Sequence, residues 1–141
     1  MYTTDSHGLI WHLQEASGER PKRPKGRLGP RARRIFTLAD DGREVIAIPS
    51  IVLVELVYLS ERGVIPAALI GRLLADLAKG PENYRVIPLD LEVVDQLRSI
   101  PATIIPDMPD RIIAATAKAT RSKLLSRDAV FRRTPDVDVV W

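Results

Sequence analysis

The sequence predicts an α/β domain of three layers, in which a central parallel sheet of four to five short strands is covered by helices. Two observations carry this. Short apolar stretches alternate along the chain with longer segments of helical pattern. Strands that are short and apolar, and that are separated by helices, suit a parallel sheet buried on both faces. A length of 141 residues fits one compact core. Residues 1–141 are therefore read as a single domain, with a basic loop inserted at about 16–29.

Met1–Thr4 reads as the first strand, stopping at Asp5, and Leu9, Ile10 and Leu13 suggest a short helix after it. Ala16–Gly29 contains Pro21, Pro24 and three glycines, which is loop chemistry. Pro30 can open a helix because its missing N–H costs nothing at the first position, and the Asp40-Asp41-Gly42 turn ends it. Val45–Ile48 is the second strand; Pro49-Ser50 leads into a helix over Ile51–Arg62, stopped by Gly63. Pro66 opens the next helix, to about Lys79. Arg85–Pro88 is a third strand, followed by a helix over Leu91–Ser99 and a Pro-bounded loop to Asp107. Pro109 opens the most regular helix, to about Arg121, and Lys123–Ser126 and Val137–Val140 complete the sheet.

Composition removes several kinds of chemistry. With no cysteine there is no disulfide scaffold, thiolate zinc site or cysteine nucleophile. With only His7 and His12, an all-histidine metal site is excluded, and both are expected to be structural or surface residues. Seven aromatic residues leave the core to Leu, Ile, Val and Ala. No apolar run reaches the roughly 18 residues that span a bilayer, and the start lacks a signal-peptide pattern, so a soluble cytoplasmic protein is expected. The net charge of +3 is unevenly spread: Arg20–Arg34 holds eight basic residues and no acid, leaving 13 basic against 18 acidic residues elsewhere. This is a mildly acidic domain carrying one basic patch.

The acids are placed informatively. Glu55 is the only charged residue between Val45 and Ser60, on a helix apolar nearly all round. A buried carboxylate must be protonated, paired with a cation such as an Arg elsewhere, or bound to an ion. Asp5 follows the first strand and Asp128 follows the strand ending at Ser126; Asp107 and Asp110 flank Pro109 at a helix start. Each of these aspartates could be only a helix cap or turn residue. Jointly they gather where a doubly wound sheet collects its ligands, beyond the carboxyl ends of its strands. Oxygen-only ligands favour Mg²⁺ or Mn²⁺.

The opening Tyr2-Thr3-Thr4-Asp5-Ser6, then Leu53-Val54-Glu55-Leu56, then Asp107-Met108-Pro109-Asp110-Arg111-Ile112-Ile113-Ala114-Ala115, and finally Leu124-Leu125-Ser126-Arg127-Asp128 resemble, in order and rough spacing, the four motifs of the PIN domain. In particular they resemble the VapC-type ribonuclease toxins of toxin–antitoxin pairs. Val52 departs from the small hydroxyl residue that many relatives carry there, and Glu19–Gly26 is longer than the usual first loop. The resemblance implies a PIN-like three-layer α/β/α fold. It also implies a divalent-metal-dependent endoribonuclease in which Asp5, Glu55, Asp110 and Asp128 hold Mg²⁺ or Mn²⁺. Ser126 and Thr116 are candidates to support those ligands by hydrogen bonds, or else to bond locally to backbone.

Arg20, Lys22, Arg23 and Lys25 are candidates for contact with RNA phosphates, though a solvated loop or a docking face would show the same charges. No aromatic residue is interleaved among them, so base stacking is not expected there. The resemblance further implies a cognate VapB-type antitoxin, and the apolar helices over Ile51–Leu59 and Ala67–Leu77 are where such a segment, or a second copy in a homodimer, would dock. Two other readings compete. A non-catalytic PIN-like RNA-binding module would be expected to have a broken quartet, and this one is complete. A Mg²⁺-binding receiver-like signalling domain would need an acidic pair after the first strand, and this sequence has only Asp5 there.

Overall fold

The structure, a computed structural model, describes residues 1–18 and 26–141. Its elements run β1 (Tyr2–Thr4), α1 (Ser6–Ser17), α2 (Pro30–Asp40), β2 (Ile46–Pro49), α3 (Ser50–Glu61), α4 (Ala67–Ala78), β3 (Tyr84–Ile87), α5 (Leu91–Arg98), α6 (Met108–Ala119), β4 (Lys123–Leu125), α7 (Ala129–Arg132) and β5 (Val139–Val140). The five strands form one sheet in the order β3-β2-β1-β4-β5, every pair parallel. Thr3 lies opposite Ala47 on one side and Leu124 on the other, which sets the register of the centre. The chain steps outward from β1 to β2 and β3, then returns to add β4 and β5 on the other side. The strand order therefore reverses between β1 and β4, and a crevice opens beyond their carboxyl ends.

The core is aliphatic, as the shortage of aromatics requires. Ile46, Ala47 and Ile48 of β2 are wholly inaccessible, and α6 buries every residue from Ile112 to Ala117. A helix can bury six successive positions only if it is covered on more than one side, here by the sheet and by α5. Its alanines keep that approach close. His12 is structural: its ring stacks on Phe36 at 4.3 Å and meets the Tyr84 hydroxyl at 3.1 Å, remote from the crevice.

Two elements differ from the sequence-based expectation. The first helix is 12 residues long and extends into the stretch read as loop. Gly18, at φ 69°, supplies the left-handed stop, and Glu15 pairs with Arg33 of α2 at 2.9 Å, tying down the added turn. The helix read as apolar nearly all round, α3, buries only Val52 and Leu56. Val54 and Tyr58 stand open at 48% and 64% exposure. Among the described residues no helix is long and apolar enough to cross a membrane.

Candidate metal centre

Asp5 is built into the end of β1 by its own backbone. It is the N-cap of α1, where its Oδ1 accepts the Gly8 N–H at 2.6 Å, while Ser126 Oγ, at the end of β4, donates to Oδ2 at 2.5 Å. Two neighbouring strand ends are thus joined through one buried carboxylate. Burial pushes the Asp5 pKa up, and the hydrogen bonds from Ser126 and Gly8 oppose that shift only in part. Gly8 is required by this packing, since a Cβ there would come within 2.9 Å of Thr4 Oγ1 and 3.0 Å of Asp5 Oδ1. Thr4 Oγ1 sits on a buried, stiff β-branched side chain and donates to the Asp5 carbonyl, so the Asp5 carboxylate is the group that must give way. Gly8→Ala is therefore expected to displace the Asp5 carboxylate at small cost to the fold. The expected result is a Tm shift of no more than a few degrees with loss of most metal-dependent activity, measured by thermal melting beside an activity assay.

Asp128 follows β4 and caps α7, accepting from Val130 N–H at 2.9 Å. Asp107 caps α6, accepting from Asp110 N–H at 3.1 Å. The cap readings of Asp5, Asp107 and Asp128 are thus all correct. Capping leaves charge behind, however. Asp5, Glu55, Asp107, Asp110 and Asp128 all line one cavity of about 620 Å³ at the carboxyl ends of the strands. Among the described residues none of the five has a basic ion-pair partner. Among the described residues no Arg pairs with Glu55, which accepts from the Ser6 hydroxyl.

Asp110 feels this crowding most. Desolvation, followed by repulsion from Asp107, Asp128, Glu55 and Asp5, raises its pKa to about 7. Asp5, Glu55, Asp110 and Asp128, the four acids expected at the site, are therefore brought together on one cavity. Ser126 donates to one of them, Asp5, and its hydroxyl oxygen accepts the Asp128 N–H. Thr116 does not: its hydroxyl donates to the Ile112 carbonyl one turn back in α6, at 2.8 Å, which is the local alternative. Arg20, Lys22, Arg23 and Lys25 lie outside the described residues.

A hard divalent cation fits this donor set in kind, because every candidate ligand is oxygen and, among the described residues, none of the five carboxylates has a basic ion-pair partner. Among the described residues no group of three or more His, Cys, Asp or Glu side chains is gathered closely enough, as it stands, to hold a metal ion. Sequence reasoning overlooked three contributors: Ser6 on Glu55, Gly8 beneath Asp5, and the Tyr58–Arg62 turn of α3 at the cavity wall. Ser6, which closes the opening Tyr2–Ser6 motif, and Gly8, three residues after a capping Asp, left readable signals.

A parallel sheet with five carboxylates lining one crevice at the reversal of strand order defines a class of acid-lined α/β domain. The chain belongs to the PIN domain family, whose model matches residues 28–137. It is similar in structure to VapBC2 from Rickettsia felis bound to a DNA fragment from its promoter, with 16% identity and a TM-score of 0.66 over 99% of this chain and 96% of that one. It is also similar to a toxin–antitoxin complex from Klebsiella pneumoniae (20% identity, TM-score 0.64, 100% and 97% covered). FitAcB from Neisseria gonorrhoeae is a further match (22%, 0.60, 100% and 97%). At these identities the likeness is one of fold. Curated protein sequences give no significant match.

Proposed function

We propose that the chain is a divalent-metal-dependent endoribonuclease and the toxin of a toxin–antitoxin pair. The observation that carries this is the cavity of five carboxylates without a basic ion-pair partner among the described residues, at the carboxyl ends of a parallel sheet. Asp5, Glu55, Asp110 and Asp128 would hold Mg²⁺ or Mn²⁺. When bound, such an ion supplies Lewis-acid charge that eases ionisation of water and offsets negative charge developing on the phosphodiester. The chain's own groups set the stage for it. Ser126 and Gly8 N–H fix both oxygens of Asp5, and Ser6 orients Glu55. Asp110 is the carboxylate with most to gain from a cation, since desolvation and then four neighbouring acids disfavour its charge. Phe131, Ile113 and Pro109 give the cavity dry walls.

The toxin part of the reading is supported by likeness to structures of toxin–antitoxin complexes. An antitoxin segment is expected along the apolar shoulder of the cavity, where Val54, Tyr58 and Met108 are exposed, with a basic residue reaching Asp5 or Asp110. Self-association as a homodimer belongs to the same reading; Leu89, Leu91 and Val94, exposed around the start of α5, are its candidate surface. Basic residues 20–25 would add RNA phosphate contacts.

The test is induction of the chain in cells, with the 5′ and 3′ ends of cellular RNA mapped and the purified protein assayed on the same RNA. The expected result is slowed growth, discrete new RNA ends reproduced in vitro with Mg²⁺ or Mn²⁺ and abolished by EDTA, and rescue by the product of the adjacent reading frame. Cleavage that persists in excess EDTA, or no cleavage and no growth effect, would refute the proposal.

A further inference from the structure

Arg111 carries a positive charge one position from the most crowded carboxylate, Asp110. Yet it does not line the acidic cavity, and among the described residues it has no acidic ion-pair partner. Successive residues of a helix point about 100° apart around its axis, so Asp110 can face the cavity while Arg111 reaches sideways to α5. Its Nη2 donates to the Ile100 carbonyl at 2.9 Å and, at a longer 3.4 Å, to the Leu97 carbonyl. Both carbonyls lie at or just past the carboxyl end of α5, where a helix leaves acceptors over and carries partial negative charge. Ile100 is wholly inaccessible, so its carbonyl has no water to turn to. The Arg111 Nε is buried as well, and among the described residues it has no hydrogen-bond partner. The guanidinium is thus seated where the two carbonyls need it and leaves one of its own donors unsatisfied.

The part of α6 that carries Asp110 needs such an anchor. From Ile112 to Ala117 the helix is buried in the core, but Asp107 and Met108 ahead of it are exposed, Met108 at 63%. The first turn therefore projects past the core, toward a cavity whose other acids repel Asp110. The Asp107 cap closes that turn on itself, whereas Arg111 ties it to a neighbouring helix. Resting on the nuclease reading above, we propose that Arg111 is a positioning residue of the metal centre: it fastens the first turn of α6 to the carboxyl end of α5 and so holds Asp110 at the cavity against repulsion by the neighbouring acids. Lysine would offer one compact ammonium in place of the planar fork and serve the two carbonyls less well. Methionine would keep an apolar stem and serve neither.

The experiment compares Mn²⁺ affinity with the Tm in EDTA for wild type, Arg111→Met, Arg111→Lys and Phe36→Leu. Phe36 is a buried residue of α2 that does not line the cavity, and its exchange for leucine lowers stability without touching the contact between α5 and α6. Affinities are read from the free-ion electron paramagnetic resonance signal at a temperature where every protein is folded. Arg111→Met should bind Mn²⁺ about tenfold more weakly than wild type, the scale on which lost support for a metal ligand acts. Arg111→Lys should lie between, about threefold weaker than wild type. Phe36→Leu should bind as wild type does despite its lower Tm. Wild-type affinity in Arg111→Met, whatever its Tm, would overturn the proposal and leave the nuclease reading intact, with Arg111 serving stability alone. Should Arg111→Met fail to fold, Arg111→Lys decides: the threefold weakening supports the proposal and full wild-type affinity overturns it. No Mn²⁺ uptake by wild type would overturn both.

Discussion

Asp110→Asn is expected to abolish activity and, in metal-free buffer, to make the protein more stable. The activity loss should be on the order of 10³-fold, the scale on which removal of one preorganised charge contact acts. The stability gain follows from the sign of the pKa shift. The Asp110 pKa is raised in the folded state to about 7 by desolvation and by Asp107, Asp128, Glu55 and Asp5, so the folded protein prefers the neutral acid. Stability associated with that proton is complete below the unfolded value of 3.8 and is lost as pH rises through about 7. Asparagine cannot ionise and escapes the loss. Because the carboxyl is only partly buried, the gain at pH 8 in EDTA is discounted to about 1–2 kcal/mol, a few degrees in Tm. The difference should vanish below pH 4. Added Mn²⁺ should raise the Tm of the wild type more than that of the variant. A variant that melts well below wild type in EDTA would mean that the Asp110 carboxylate stabilises the metal-free fold, against the repulsion argued here.

Phe131→Ala carries the largest expected stability loss. Phe131 is 1% exposed, one of the largest fully buried side chains, and it belongs to a helix of only four residues. So short a helix has little stability of its own; α7 is held by this ring and by the Asp128 cap. Truncation should cost about 3–5 kcal/mol, combining lost transfer energy with the cavity left behind. The same ring lines the acidic cavity, so loosening α7 also releases Asp128 from its place. Chemical denaturation should show the stability loss, and activity measured where the variant is still folded should fall as well. Phe131→Leu should restore most of both.

The order of elements was legible because each is punctuated by strong local chemistry. Pro30 opens α2, Pro109 lies in the first turn of α6, and Gly63 and Gly80 take positive φ at the ends of α3 and α4. The short apolar strands announced a parallel sheet because Ile46-Ala47-Ile48 leaves no polar face. What the sequence could not show was how far α3 would be covered. Its apolar pattern is satisfied by Val52 and Leu56 facing the core, and exposure of Val54 and Tyr58 depends on where α4 and α6 sit. The site was legible in its acids and obscure in their supports. Asp5, Glu55, Asp110 and Asp128 stand out by position, yet the bonds from Ser6 to Glu55 and from Ser126 to Asp5 join residues 49 and 121 positions apart. Thr116 illustrates the converse, a hydroxyl near the right helix whose nearest carbonyl was a better partner than any acid.

The claim that the five-acid cavity is a metal centre is tested most directly by Mn²⁺ binding, read from the loss of the free-ion electron paramagnetic resonance signal. Wild type at pH 8 should bind Mn²⁺ stoichiometrically, with Mg²⁺ in competition. Asp5→Asn and Asp110→Asn should each abolish or greatly weaken that binding, while Asp95→Asn, an exposed acid on α5 away from the cavity, should leave it unchanged. Wild-type protein that takes up no Mn²⁺, or binding that survives in both cavity variants, would contradict the account.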